Sequence, residues 1–326
     1  MKWIHAYNGV RIAAFAFALF GLGGCIEYGL ETTLNPDGSG VRYEKMTVEE
    51  TEELSWVSPS DFQALMHVTE NEGWRYERET EEDDTVHVFR RETRVRDLAS
   101  WAGLSGGVRI SGATSVGARS SVGHVSLGDV HFLNAVRAET GHVAEGSSFT
   151  YRETFYWENL NDAMIEHLLV YVRNTLDAQY PGLASEQRGE IIGLVRGGLW
   201  AAVDRGLFDA SGDRQEEILS AFVERTAEQA EKVVRQRYPG ADEEFFEKML
   251  RQVYEDEDRL EAFIEGQLPG VQLAANSAIV FRLTMPGRVT ASNAHDRDGT
   301  TLVWEFGPGD AVTTPIEIFA ESVVER

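Results

Sequence analysis

The hydrophobic positions of the chain change period twice, which predicts three regions. From residue 26 to about 158, apolar side chains mostly alternate with polar ones, as in strands that bury one face. From about 159 to 267 they recur every three or four residues, as on amphipathic helices. The strand pattern then returns. Strands at both ends with helices between them predict an α+β fold: a twisted antiparallel sheet with a helical bundle inserted before its last strands.

Turn and cap residues mark the predicted elements within these regions. Asp37-Gly38 between two alternating runs is a strong hairpin signal, and a second hairpin is expected to turn at residues 81–84. Ser58 or Ser60 is expected to cap a helix that runs to Glu70. A short helix is predicted at 98–104, and a strand at 273–285 opens the last region. The Gly- and Ser-rich stretch 105–128 fits either weak strands or a mobile flap.

The first 25 residues have the pattern of an export signal. Lys2 and Arg11 precede an apolar run at 12–22, which is shorter than the about 20 residues that span a bilayer. The following Gly23-Gly24-Cys25 resembles the bacterial lipobox, so we expect cleavage between Gly24 and Cys25 and lipidation of Cys25. The alternative is a secretory signal with an incidental cysteine. The predicted parts are then a signal peptide at 1–24, an N-terminal β-rich part at 25–158, a helical insertion at 159–268 and C-terminal strands at 269–326.

Composition supports an anchored envelope protein. Cys25 is the only cysteine, so an intramolecular disulfide and a structural zinc site built on thiolates are both excluded. Removal of Lys2 and Arg11 with the signal changes the net charge to −24 − 2 = −26. The overall field of so acidic a chain attracts neither nucleic acid phosphates nor anionic lipid headgroups, whereas the lipid on Cys25 makes the membrane a partner. Ile26 follows the cysteine where an Asp would favour the inner membrane, so we expect the outer membrane, facing the periplasm.

Motifs of known active sites are missing from the sequence. It has no nucleophile elbow, zinc-protease helix, phosphate loop or dinucleotide glycine pattern, so we expect no enzyme and no cofactor. Asp296-Arg297-Asp298-Gly299, near Asn293 and His295, begins like a calcium loop, but a polar hairpin turn is the favoured interpretation. For His124, His131 and His142, chance placement is favoured over metal binding.

Aromatic residues are concentrated in the predicted strands, where they have two interpretations. In a curved sheet they could line a pocket for an acyl chain or a sugar. As ordinary strand residues they would fill the core, which is the favoured interpretation. Glu153 lies on the same predicted strand face as several of them. If buried, it could act as a general acid, but pairing with an arginine is the commoner outcome. The candidate pocket comprises Trp74, Tyr151, Glu153, Phe155, Trp157 and Trp304.

The β-rich ends resemble a family of bacterial lipoproteins called LppM-like, whose shared domain has no assigned function. The resemblance rests on Cys25 running into the hairpin at 32–48, on the turn Met285-Pro286-Gly287 with the residues up to Asn293, and on residues 299–306 around Trp304. It implies a fold and an envelope location and supplies no catalytic residues. The chain departs from the family because it stops at Arg326, where many relatives continue into a membrane-spanning helix. Its helical segment is also longer than the resemblance explains.

Together these patterns predict a membrane-anchored envelope lipoprotein. We expect a non-catalytic binding or scaffold module for a lipid, a glycan or a partner protein. A competing hypothesis is an envelope hydrolase that uses carboxylates such as Glu153 for acid–base chemistry. A third is a purely structural protein whose acidic helical face docks an envelope partner.

Overall fold

A computed structural model gives the fold of most of the chain. It describes residues 26–49, 58–81, 84–112, 130–207, 212–242, 244–255, 268–275, 277–312 and 314–325. The predicted signal peptide and Cys25 therefore lie outside the described residues, as does most of the stretch 105–128. The described chain divides into two compact units, one built mainly of strands and the other of helices.

The strand unit contains two sheets. Its strands are β1 (Ile26–Leu34), β2 (Gly40–Glu49), β3 (Arg75–Glu81), β4 (Asp84–Val95), β5 (Arg109–Ser111), β6 (His131–Val143), β7 (Gly146–Glu158), β8 (Ser277–Thr284), β9 (Arg288–Ser292), β10 (Asp296–Asp298), β11 (Thr301–Phe306) and β12 (Ile316–Glu325). One sheet has the order β10-β11-β8-β1-β2-β4-β3, and the other has the order β5-β6-β7-β12-β9. Both are antiparallel except where β1 pairs with β8 in parallel.

The two sheets share one hydrophobic core. Alternate residues of β1 are buried and the others are more exposed, as the period-two pattern predicts. Phe281 on β8 meets Phe155 on β7 edge to face, with ring centroids 6.1 Å apart. Trp101 is fully buried against Tyr151 of β7 and the first hairpin, where its indole Nε1 donates to the carbonyl of Gly38 at 3.0 Å. The sheets therefore pack face to face and bury most of the predicted aromatic residues.

Short helices connect the strands of this unit. Helix α1 (Pro59–Met66) starts at Ser58, whose side chain accepts from the backbone N–H of Asp61. Three-residue and seven-residue 3₁₀ helices follow at Glu70–Glu72 and Leu98–Leu104. The latter was predicted with the same bounds.

The second unit is a bundle of amphipathic helices. Its helices are α2 (Leu160–Gln179), α3 (Ser185–Val203), α4 (Asp213–Arg235) and α5 (Phe245–Glu255). They enclose a core of their own, in which Phe222 of α4 lies against Gly198 of α3. None of the described helices is both long enough and apolar enough to cross a membrane.

The prediction of an α+β fold with helices before the last strands is confirmed, but three details were wrong. The strands form two sheets rather than one. The helix predicted to reach Glu70 ends at Met66, because His67 adopts a left-handed backbone with φ of 52°. The strand predicted from residue 273 begins only at Ser277. Before it lies helix α6 (Pro269–Ala275). Leu268 just before the helix, and Val271 and Ala274 within it, are buried at helical spacing, which the run of apolar residues had concealed.

Gly40 provides a test of how closely Trp101 packs on the first hairpin. A Cβ at Gly40 would lie 2.2 Å from the carbonyl oxygen of Thr33 and 2.4 Å from the Trp101 ring. We therefore expect Gly40→Ala to lower the free energy of unfolding by about 1–3 kcal/mol, the usual cost of overpacking. Urea unfolding followed by tryptophan fluorescence measures it, because Trp74, Trp101, Trp157 and Trp304 all lie in the strand unit.

Gly103→Ala is the matched control. A Cβ at Gly103 meets nothing within 4 Å, so this change should stay within about 0.5 kcal/mol of the unchanged protein. Equal effects of the two substitutions would contradict the packing described for Trp101.

Candidate functional site

A buried ion pair joins the two sheets at the centre of the core. Arg42 on β2 and Glu153 on β7 have side-chain exposures of 1% and 0%, and both nitrogens at the end of the guanidinium bind the carboxylate. Alternation places Arg42 on the inner face of one sheet and Glu153 on the inner face of the other. Each charge would be costly to bury alone, so each depends on its partner across the core.

Neutral polar groups complete the hydrogen bonding of this pair. Arg42 Nε donates to Thr32 Oγ1 at 3.0 Å, and one of its Nη atoms also donates to Tyr151 Oη at 2.8 Å. Glu153 also accepts from the Tyr151 hydroxyl at 2.6 Å and from the side-chain amide of Asn134. Burial raises the pKa of Tyr151 well above its usual value. Burial alone would lower the pKa of Arg42, but Glu153 and Tyr151 hold it above its usual value.

The predicted pocket residues lie mainly in this core. Trp74, Tyr151, Glu153, Phe155 and Trp304 are each at most 3% exposed. Trp157 is partly buried and donates through Nε1 to the carbonyl of Pro308 at 2.9 Å. Tyr151 and Phe155 both contact Phe281, whereas Trp74 packs on Arg91, away from this cluster. The structure thus gives these side chains the core packing that the sequence favoured, and a ligand pocket among them stays a prediction.

The remaining sequence candidates are spread over the fold. His131 and His142 lie eleven residues apart on β6, about 36 Å at the usual rise of a strand, too far to share a metal ion. His124, Gly24 and Cys25 lie outside the described residues. Asp296 and Asp298 form an exposed short strand before a turn at Gly299, with Asn293 and His295 bonded to neighbouring strands. Within the described ranges, no three His, Cys, Asp or Glu side chains are placed to hold a metal.

A groove lies on the outer face of the seven-stranded sheet, on the side away from the core. Its volume is about 690 Å³. Gly29 on β1 has no side chain to fill the middle, and Tyr43 on β2 is 49% exposed. Charged side chains from five neighbouring strands supply most of the lining: Glu27, Glu31, Lys45, Arg75, Glu77, Arg90, Glu92 and Arg282.

Three cations lie in a row across this groove. Lys45 on β2 is directly opposite Arg90 on β4, and Arg90 is directly opposite Arg75 on β3. Like charges in such positions repel and destabilise a sheet. Arg90 binds Glu77 and Glu79, but neither Lys45 nor Arg75 forms an ion pair with any described residue. Among the described residues, two cations without an ion-pair partner thus lie beside a third, although the overall charge of the chain is strongly negative.

The sequence did not predict this groove. Lys45, Arg75 and Arg90 are single charges on the polar faces of three separate strands, and a solvated strand face has the same pattern. Their proximity follows from the strand order β2-β4-β3 and its register. The sequence contains four lysines, but this scarcity gave no reason to single out Lys45.

Comparison with known proteins leaves the family open. No family model matches the chain, and no curated protein matches it in sequence. One solved structure, the NMR structure of the folded domain of LppM from Mycobacterium tuberculosis, aligns with 94% of this chain and 93% of its own, at 7% identity. The TM-score is 0.28, which is too low to support a conclusion about fold or function. Membership of the LppM-like family therefore stays a prediction.

The buried pair generates a stability prediction. Arg42→Met leaves Glu153 charged and without its cation in the core, so we expect a loss of about 3–5 kcal/mol in the free energy of unfolding. The double variant Arg42→Met/Glu153→Leu removes both charges and should lose clearly less than the sum of the two single changes. Urea titration monitored by tryptophan fluorescence gives all four values. A loss below about 1 kcal/mol for Arg42→Met would contradict the pairing.

Proposed function

We propose that this protein is a lipid-anchored envelope protein that binds an anionic group of the membrane surface in the groove on its outer sheet face. The observation that carries the proposal is the row Lys45, Arg90 and Arg75. A row of like charges costs stability, and a bound anion would relieve that repulsion. A lipid phosphate whose charge no cationic headgroup neutralises, as in phosphatidylglycerol, is such an anion, and Lys and Arg are its usual ligands.

The neighbouring charges favour binding at this row in particular. Elsewhere in the groove the ions neutralise one another, as in the pair between Arg282 and Glu31 at 3.8 Å. Arg91 likewise forms an ion pair with the buried Glu44. An anion would therefore be attracted to Lys45 and Arg75. The exposed ring and hydroxyl of Tyr43 could contact the rest of the molecule that carries the anion.

The proposed anchor would hold the groove close to the membrane. Ile26, the residue after Cys25, is fully buried in β1, which lies between β8 and β2. A lipid on Cys25 would therefore be attached to the end of a central strand without a linker. Gly29 in the groove lies four residues further on, about 13 Å along a strand. A headgroup layer is about 5–8 Å deep. Gly29 would therefore lie about 5–8 Å above it on an upright strand, and the long side chain of Lys45, which lies opposite Gly29, would narrow that gap.

The choice of membrane belongs to the same proposal. We propose cleavage between Gly24 and Cys25, lipidation of Cys25 and an outer-membrane location facing the periplasm. Ile26 supports that location, because an Asp after the lipidated cysteine favours retention in the inner membrane. Because the overall field of the chain repels anions, the local contacts with Lys45 and Arg75 would have to hold the ligand.

The test is a binding titration of the full-length lipidated protein in neutral-detergent micelles. Calorimetry compares added phosphatidylglycerol, phosphatidylcholine and free inorganic phosphate. We expect binding of phosphatidylglycerol that weakens as salt is added. Lys45→Gln/Arg75→Gln should lower that affinity about 10- to 30-fold, since each cation near an anionic surface contributes about 1 kcal/mol.

Lys232→Gln/Arg237→Gln is the matched control, because it removes the same charge from exposed positions of the helical unit. It should leave the affinity unchanged. Equal affinity for both lipids, or an unchanged affinity in the Lys45/Arg75 variant, would refute the site. Either result would favour a scaffold that docks a protein. Equal binding of free phosphate and phosphatidylglycerol would identify a small-anion site instead of a headgroup site.

A further inference from the structure

A serine between two histidines lies at the edge of the five-stranded sheet, separate from the groove. Ser111 ends β5, His131 begins β6 directly opposite it, and His67 follows α1. Ser111 Oγ is 2.7 Å from His67 Nε2 and 3.2 Å from His131 Nδ1. On its other side, His67 Nδ1 is 2.8 Å from Glu72 Oε1. Serine, histidine and carboxylate are thus connected in the order that nucleophilic catalysis requires.

The donors and acceptors of this cluster permit one consistent proton arrangement with neutral histidines. A carboxylate only accepts, so His67 carries its proton on Nδ1 and bonds to Glu72. Its Nε2 is then an acceptor, which directs the Ser111 hydroxyl proton onto it. An arginine only donates, so Arg109, 2.9 Å from His131 Nε2, places the His131 proton on Nδ1, facing Ser111. Ser111 therefore donates to the histidine that Glu72 orients and accepts from the other.

Surrounding contacts hold the carboxylate in place. Partial burial alone would raise the pKa of Glu72, but hydrogen bonds from His67 and Thr69 lower it below its usual value, so the group is ionised at neutral pH. Thr69 Oγ1 donates to Glu72 Oε2 at 2.9 Å. Arg91 donates to the backbone carbonyl of Glu72 and to that of Gly107, just before β5. One arginine therefore fixes both segments that bring Glu72 and Ser111 together.

The side chains of this site are partly exposed, and His67 has a left-handed backbone conformation. His67 and Glu72 are 21% and 35% exposed, and Ser111 is partly buried. His67 and Asn159 are the two non-glycine residues with positive φ among those that the structure describes. Such conformations persist where the surrounding structure enforces them, often at functional sites. Here the left-handed turn ends α1 and brings the imidazole to Ser111.

We propose that Ser111, His67 and Glu72 form a catalytic triad that hydrolyses carboxylic esters. Ser111 Oγ attacks the ester carbonyl carbon and its proton passes to His67 Nε2. The C–O bond to the alcohol then breaks, and His67 returns that proton to the departing alkoxide, leaving an acyl group on Ser111. Water, deprotonated by His67, attacks the acyl carbon, and the Ser111 oxygen leaves and regains its proton. Glu72 orients His67 and stabilises its charged form.

His131 supplies the donor beside the reacting carbonyl. Arg109 keeps the Nδ1 proton of His131 directed at Ser111, where it can stabilise negative charge on the carbonyl oxygen of an attached acyl group. A single such donor suits esters, which need less stabilisation than amides because an alcohol leaves more readily than an amine. This hydrolytic function is independent of the anion-binding groove. The sequence motifs did not predict a catalytic function.

The experiment uses the purified full-length protein in neutral detergent with two probes. A fluorophosphonate should label one serine, forming an oxygen–phosphorus bond to Ser111 with loss of fluoride, as read by peptide mass spectrometry. p-Nitrophenyl butyrate should be hydrolysed in the same preparation. Ser111→Ala should abolish labelling and lower hydrolysis at least 100-fold, and Glu72→Gln should slow both at least 10-fold. Unchanged circular dichroism and midpoint of unfolding exclude a folding defect.

Substitution of the proposed base separates catalysis from a structural role. His67→Gln removes the nitrogen that accepts the Ser111 proton, so we expect it to slow labelling and hydrolysis at least 100-fold while the midpoint of unfolding stays unchanged. Ser100→Ala is the matched control, because Ser100 bonds to a carboxylate, Asp97, without a histidine, and it should leave labelling unchanged. Absence of labelling and hydrolysis in the folded protein, or labelling that persists in Ser111→Ala, would overturn the proposal.

Discussion

The strand unit depends on one interaction, the ion pair between Arg42 and Glu153. Two opposite charges from different sheets lie in the same dry core, and neither is tolerable there without the other. Because a register slip of one residue would turn either side chain to the opposite face, the pair fixes the registers of β2 and β7 together. The aromatic residues around the ion pair then fill the core between the two sheets, whose relative position Arg42 and Glu153 help to fix.

Contacts spread from this pair towards both proposed sites. Asn134, which donates to Glu153, also donates to the carbonyl of Leu104 and accepts from the backbone N–H of Val108, which fixes the segment leading to β5 and Ser111. On the other sheet, Arg42 points into the core while its neighbours on β2, Tyr43 and Lys45, point outward. The same strand therefore carries the central charge on one face and part of the groove on the other.

Much of the fold was predictable because burial imposes period two on strands and 3.6 on helices, and β1, β2, β7 and α4 follow those periods closely. The choice of strand partners was not predictable. Neither the parallel pairing of β1 with β8 nor the separation into two sheets leaves a local signal in the sequence. Glu153 stood out as a carboxylate on an aromatic face, but its partner Arg42 lies 111 residues away along the chain. The groove likewise joins residues from five strands, and the serine cluster joins residues from three segments, that only tertiary structure brings together.

The parallel pairing of β1 with β8 also determines the order in which the strand unit can assemble. Ile26 lies beside Ser277, which is 277 − 26 = 251 residues later, and the helical unit folds on local contacts in between. Closing so long a loop is entropically costly, and sheets built on distant pairings fold slowly. Until residues 277–284 have been synthesised, the hairpin of β1 and β2 has one unpaired edge, and such edges recruit other chains. A chain of this topology therefore exposes the edge of its first strand for most of its synthesis.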